Sequence, residues 1–193
     1  MSARHCLAAV AAAVILVVTP ASTRAQTPEE ADAKITGAVS AGPPAITADA
    51  TVMDWATEEG GEMTELRSGT NGWICLPDMP QTPGYDPHCV DSTFLDFMKA
   101  WSNREKPEGD TIGIGYMMQG GSEASNTDPF ATEPAPGADW MRTPPHIMVT
   151  VPDAAALEGL PTDPETGGPW VMWAGTPYAH IMIPVGEVEE GAR

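Results

Sequence analysis

Chain breakers set the first limit on this sequence. Twenty prolines and 19 glycines in 193 residues keep every element short and demand many turns. Between the breakers, apolar residues fall into brief runs that read as strands. Candidate strands cover 46–55, 62–67, 72–76, 111–118, 146–151, 169–174 and 178–185, the last two joined as a hairpin across Gly175-Thr176-Pro177. One segment, 91–104, has helical periodicity: Phe94, Leu95, Met98 and Trp101 share a face, and Asp91 or Ser92 can cap it. Strands, one helix, then more strands predict an α+β fold, mainly antiparallel β with one substantial helix, in a single compact domain over 45–188. Within 111–118, Gly113 and Gly115 lie on one strand face, which suits close approach of another layer. Residues 119–144 read as a long irregular segment, either functional or disordered.

The amino terminus carries a different pattern. Arg4 and His5 precede an uninterrupted apolar run from Cys6 to Val18, and Thr23-Arg24-Ala25 leaves small residues at a cut before Gln26. That is the three-part pattern of a cleavable secretory signal, with Ala21 as a second cut site. The run has 13 residues, short of the roughly 20 that a membrane-spanning helix needs. The expected organisation is a signal peptide over 1–25, a flexible leader over 26–44, the domain, and a tail over 189–193. Thr27-Pro28-Glu29-Glu30 can start a short helix in the leader. The mature chain is expected in the periplasm or outside the cell, with no membrane span.

Cleavage changes two properties of what remains. It removes Arg4 and Arg24 and no acidic residue, taking the formal charge from −18 to −20. A surface so acidic repels nucleic acid and anionic lipid, and serves solubility first. Cleavage also removes Cys6 and leaves Cys75 and Cys89, an isolated pair that forms a disulfide in an oxidising compartment. A thiolate metal site with His88 is the rival reading, and it needs reduced cysteines.

The remaining chemistry lies in two similar phrases. Trp140-Met141-Arg142-Thr143-Pro144-Pro145-His146-Ile147-Met148 and Trp173-Ala174-Gly175-Thr176-Pro177-Tyr178-Ala179-His180-Ile181-Met182 both read W-x-x-T-P and then H-I-M. On a strand, residues i and i+2 share a face, so His146 joins Met148 and His180 joins Met182. The opposite faces, Ile147/Val149/Val151 and Ile181/Ile183/Val185, are aliphatic and expected to face the core. If the hairpin pairs Met172 with His180, Trp170 lies opposite Met182. Imidazole with thioether is a ligand set suited to Cu(I). The residue types are similar to those of small periplasmic copper-binding proteins, a resemblance of ligand type only. Packing of Met and Trp into an apolar layer, with each histidine hydrogen-bonded at its edge, accounts for the same residues.

No catalytic motif stands out. A hydrolase needs His146 or His180 as base, Asp128 or Asp54 as orienter and Ser122 or Ser125 as nucleophile, a trio that most chains of this length offer. A binding module is the broader expectation, with Trp73, Tyr85, Trp140 and Trp173 as an aromatic patch. The phrases NGWICLPDMPQTPGYDPHC, GYMMQGGSEASNTDPFA and GTPYAHIM resemble those of small exported bacterial proteins of unassigned function. That resemblance implies a location and no activity. The expected function is therefore an exported acidic binding or structural domain, with copper binding and hydrolysis as alternatives.

Overall fold

The alternating runs pair into one large sheet. A computed structural model describes residues 27–58 and 61–188; the expected signal peptide and the 189–193 tail lie outside the described residues. The chain begins with helices α1 (Pro28–Val39) and α2 (Pro44–Thr47). Strands β1 (Thr51–Asp54), β2 (Thr64–Arg67), β3 (Ile74–Leu76) and β4 (His88–Val90) follow, then helix α3 (Ser92–Ser102). The second half contributes β5 (Gly113–Met117), β6 (Gly121–Glu123), β7 (Met141–Thr143), β8 (His146–Thr150), β9 (Trp170–Met172) and β10 (His180–Pro184). Eight strands form a sheet of order β2-β1-β3-β4-β5-β8-β10-β9, while β6 and β7 pair separately. In the large sheet β1 and β3 run parallel, and every other neighbouring pair runs antiparallel. The α+β class holds.

Two expectations need correction. Helix α3 does not stand alone, because α1 has 12 residues against its 11. Residues 26–44 are not simply a flexible leader, because α1 packs on the sheet. Thr27 and Glu30 form a reciprocal capping box at its start. Ala38 is fully buried beside Val52, Cys75 and Cys89, and Lys34 pairs with Asp54 on β1. Ile35 and Val39 pack half-buried against the same cluster, and the one α1 residue that is fully buried is an alanine.

A third correction concerns the faces of the central strands. The His–Met face, not the aliphatic one, meets the main core. His146, Met148, His180 and Met182 are buried, whereas Ile147, Val149, Val151, Ile181 and Ile183 are half-buried and Val185 is exposed. The reason is the distribution of cover. Helix α3 and the 119–144 segment lie over the His–Met face, where Phe94, Phe97 and Met98 join Met117, Met148, Met172 and Met182. The other face is covered by α1 at one end and by the 3-10 turn Ala154–Leu157 at the other.

Glycines let α3 approach. A Cβ at Gly113 would fall 2.7 Å from the Phe94 backbone nitrogen, and one at Gly115 would fall 3.3 Å from the Phe94 ring. Tryptophans tie down the 119–144 segment. The indole N–H groups of Trp101, Trp170 and Trp173 donate to the Pro129 carbonyl, the Asn126 side chain and the Ser125 carbonyl. The segment is thus an ordered cover rather than a disordered loop. The Cys75–Cys89 disulfide joins residues directly opposite each other on β3 and β4. Within the loop it closes, Asp86 is buried and accepts from the Met79 backbone and the Thr82 hydroxyl.

Candidate functional site

Residues paired across strands share a face, so the register resolves the buried face into rows. The Cys89–Tyr116 pairing, carried one residue further, sets His88 beside Met117. Met117 pairs in turn with His146, and His146 with Pro184. The first row is therefore Leu76, His88, Met117, His146 and Pro184. The next row is Val90, Gly115, Met148, Met182 and Trp170.

The expected hairpin register is the observed one: His180 faces Met172 and Met182 faces Trp170. Met148 and Met182 are direct cross-strand partners. The two histidines of the H-I-M phrases do not converge. His146 lies opposite Pro184, four residues along β10 from His180, a separation of about 13 Å along the strand. Trp73 packs on Tyr116 in the cluster under α1, whereas Trp173 stacks on Trp101 in the main core. The four aromatic residues expected as one patch therefore divide between clusters: Trp73 and Trp173 lie in different cores, Trp140 is half-buried, and Tyr85 lines a cleft described below.

Burial dictates the state of the histidines. Desolvation pushes His88, His146 and His180 down to about 4, so all three are neutral at pH 7. Backbone carbonyls oppose the shift in each case. For His146, the neighbouring His88 and His180 add to it. His146 Nδ1 lies 2.7 Å from the Pro144 carbonyl, and His180 Nδ1 lies 3.0 Å from the Tyr178 carbonyl. A carbonyl can only accept, so in both rings Nδ1 carries the proton and Nε2 keeps a lone pair. Three rings surround His180: Phe94, Phe97 and Trp173, with centroids at 6.3, 5.6 and 5.1 Å. That is a packed core histidine.

The first row differs. Among the described residues, three buried side-chain atoms have no hydrogen-bond partner: His88 Nδ1, Thr143 Oγ1 and His146 Nε2. Buried polar atoms in native proteins are nearly always satisfied, so such a group points to a ligand or to bound water. Nearby, a cleft of about 150 Å³ is lined by Gly84, Tyr85, Gly121, Ser122, Arg142 and Thr143, with others. A Cβ at Gly121 would fall 2.9 Å from Met117 Cε and 3.1 Å from Thr143 Oγ1. Gly121 thus lines the cleft and packs against the Met117 methyl. On β6, desolvation and the Asp86 carboxylate push Glu123 up to about 8, so its carboxyl is largely protonated at neutral pH.

Sequence reasoning considered His88 only with cysteine thiolates, and it overlooked Met117, Thr143 and Glu123. The period-two pattern does place Met117 on the glycine face of β5. Nothing local indicates that β4 and β8 flank it. The hydrolase trio is not assembled. Ser125 Oγ accepts from the Thr127 and Asp128 backbones, Asp128 accepts from Phe130, and Asp54 pairs with Lys34. Among the described residues no serine hydroxyl is hydrogen-bonded to a histidine, and no three His, Cys, Asp or Glu side chains gather as a metal-holding group.

Fold and site together define a disulfide-bridged, mixed-sheet domain with a neutral imidazole–thioether layer under a helix. Compared with protein-family models, curated proteins and solved structures, the chain matches none.

Proposed function

We propose that this is an exported acidic domain that works by binding a small ligand, taken up at the cleft beside β6 and β7. The observation that carries this reading is the three buried side-chain atoms without a hydrogen-bond partner, His88 Nδ1, Thr143 Oγ1 and His146 Nε2, of which Thr143 Oγ1 lies against Gly121 at the cleft. Catalysis is disfavoured because a general base needs a proton donor within hydrogen-bond reach, and no serine offers one to a histidine here. Export is supported by the three-part leader pattern and by the disulfide. Among the described residues no helix is long and apolar enough to cross a membrane. Copper held jointly by His146, Met148, His180 and Met182 is the weaker form of the metal reading, because the separation of the two histidines works against a shared ion.

Native mass spectrometry and elemental analysis of mature protein isolated from an export compartment test the proposal. The expected result is a stoichiometric bound species that is lost on unfolding. A chain found only at its bare mass, with the elemental content of buffer, would refute it.

A further inference from the structure

We propose that His88, Met117 and His146 form a site for one monovalent copper ion. This rests on the binding reading above and commits it to a ligand.

Topology supplies the donor set. The three residues are consecutive in one cross-strand row on β4, β5 and β8, with neighbours about 5 Å apart at Cβ. His146 is fully buried, His88 is 8% exposed, and each has one ring nitrogen without a partner. The Pro144 carbonyl fixes the His146 proton on Nδ1 and leaves Nε2 as the donor atom. A metal-ligating histidine commonly has this arrangement, its other nitrogen donating to a backbone carbonyl.

Donor chemistry then selects the ion. Two neutral imidazoles and a thioether carry no charge and include a soft sulfur, a set that suits Cu(I). The cost of burying an ion rises with the square of its charge, so a monovalent ion suits neutral ligands better than a divalent one. Calcium and magnesium require oxygen ligands. His88 also stands edge-on to Trp55 at 5.7 Å between ring centroids, which closes that side of the site with an aromatic wall. The neighbouring row lacks these features. Met148, Phe94 and Val90 all close on the Gly115 position, and His180 is enclosed by aromatic rings.

The entry point in this proposal is Gly121. It lines the cleft, and the Met117 methyl lies directly behind it. A rotation of the flexible Met117 side chain would bring its sulfur to an arriving ion and carry the ion toward the two imidazoles.

The test is anaerobic titration of disulfide-bonded mature protein with Cu(I) against a chromophoric chelator. Ascorbate replaces thiols as reductant so that the Cys75–Cys89 bridge survives. X-ray absorption then reads the ligand shell. One ion per chain in a nitrogen–sulfur shell is expected. Met117→Leu and His146→Gln should each weaken binding by more than the roughly 100-fold that loss of an outer-shell partner costs. His180→Gln and Met182→Leu should leave it within about threefold. Met117→Leu conserves volume, so it carries the test even if His146→Gln fails to fold. Absence of 1:1 binding, a shell without sulfur, or unchanged affinity in Met117→Leu overturns the proposal. Loss of binding in His180→Gln and Met182→Leu alone, with circular dichroism unchanged, places the ion on the other row and overturns it too. In each case a different bound species in the exported protein leaves the binding reading standing, whereas a bare chain removes both.

Discussion

His180 shows how a single buried residue ties this fold to pH. Its ring sits among Phe94, Phe97 and Trp173, and desolvation holds it at about 4 in the folded chain. In the unfolded chain it titrates near 6.5. Below that value the unfolded chain takes up the proton first, so stability is complete above 6.5 and is lost as pH falls through 4. Lowering pH from 7 to 5 should therefore cost about 2 kcal/mol through this residue. His180→Leu should flatten the fall in urea midpoint over that range, while His88 and His146 maintain part of the slope. Glu123 acts with the opposite sign. Its folded value is raised to about 8, so its contribution is complete below 4.5 and is lost as pH rises through 8. Glu123→Gln should raise the melting midpoint more at pH 9 than at pH 5. At Gly113 a methyl group would meet Thr150 Oγ1 at 2.6 Å and Phe94 backbone at 2.7 Å. Backbone gives little, so Gly113→Ala should lose about 1–3 kcal/mol in urea unfolding.

Among the elements, α3 depends most visibly on one residue. Asp91 Oδ1 accepts from the Phe94 backbone as an N-cap, and Oδ2 accepts from the Ile114 backbone on β5. One carboxylate thus satisfies a helix start and a strand N–H, and fixes α3 against the sheet. Asp91→Ala should cost about 2–3 kcal/mol, the cap and an orphaned N–H together. Asp91→Asn keeps an acceptor and should cost less; chemical denaturation of both variants checks the order. Helix α3 was legible because Phe94 and Met98 are large and recur at helical spacing behind a capping residue. Helix α1 showed its Thr27 cap and its Pro28 start but not its packing, because its one fully buried residue is an alanine and Ile35 and Val39 are only half-buried. Strands β4 and β7 escaped notice for another reason. Each has three residues next to prolines, too few for alternation to register.

On the scale of the molecule, the disulfide couples the sheet to an otherwise poorly cored loop. Cys75 and Cys89 are 14 residues apart, so their bridge should contribute about 3 kcal/mol by restricting the unfolded chain. Replacing both cysteines with serine should lower the unfolding free energy by that amount while preserving the far-ultraviolet dichroism of the sheet. That pair, the α+β class and the hairpin register were open to the sequence. Each depends on local spacing or on a residue count, which chain order preserves. The buried side of the central strands was not. Ile147, Val149, Ile181 and Ile183 are the more hydrophobic choice by residue type, yet the cover from α3 and the 119–144 segment falls on His146, Met148, His180 and Met182. Imidazoles tolerate that burial because the carbonyls two residues before His146 and His180 satisfy Nδ1. The row His88, Met117 and His146 draws on strands separated by 29 residues at each step. Strand order brings them together, and strand order follows from how helices and loops cover a sheet, a property of the whole chain that no window of residues contains.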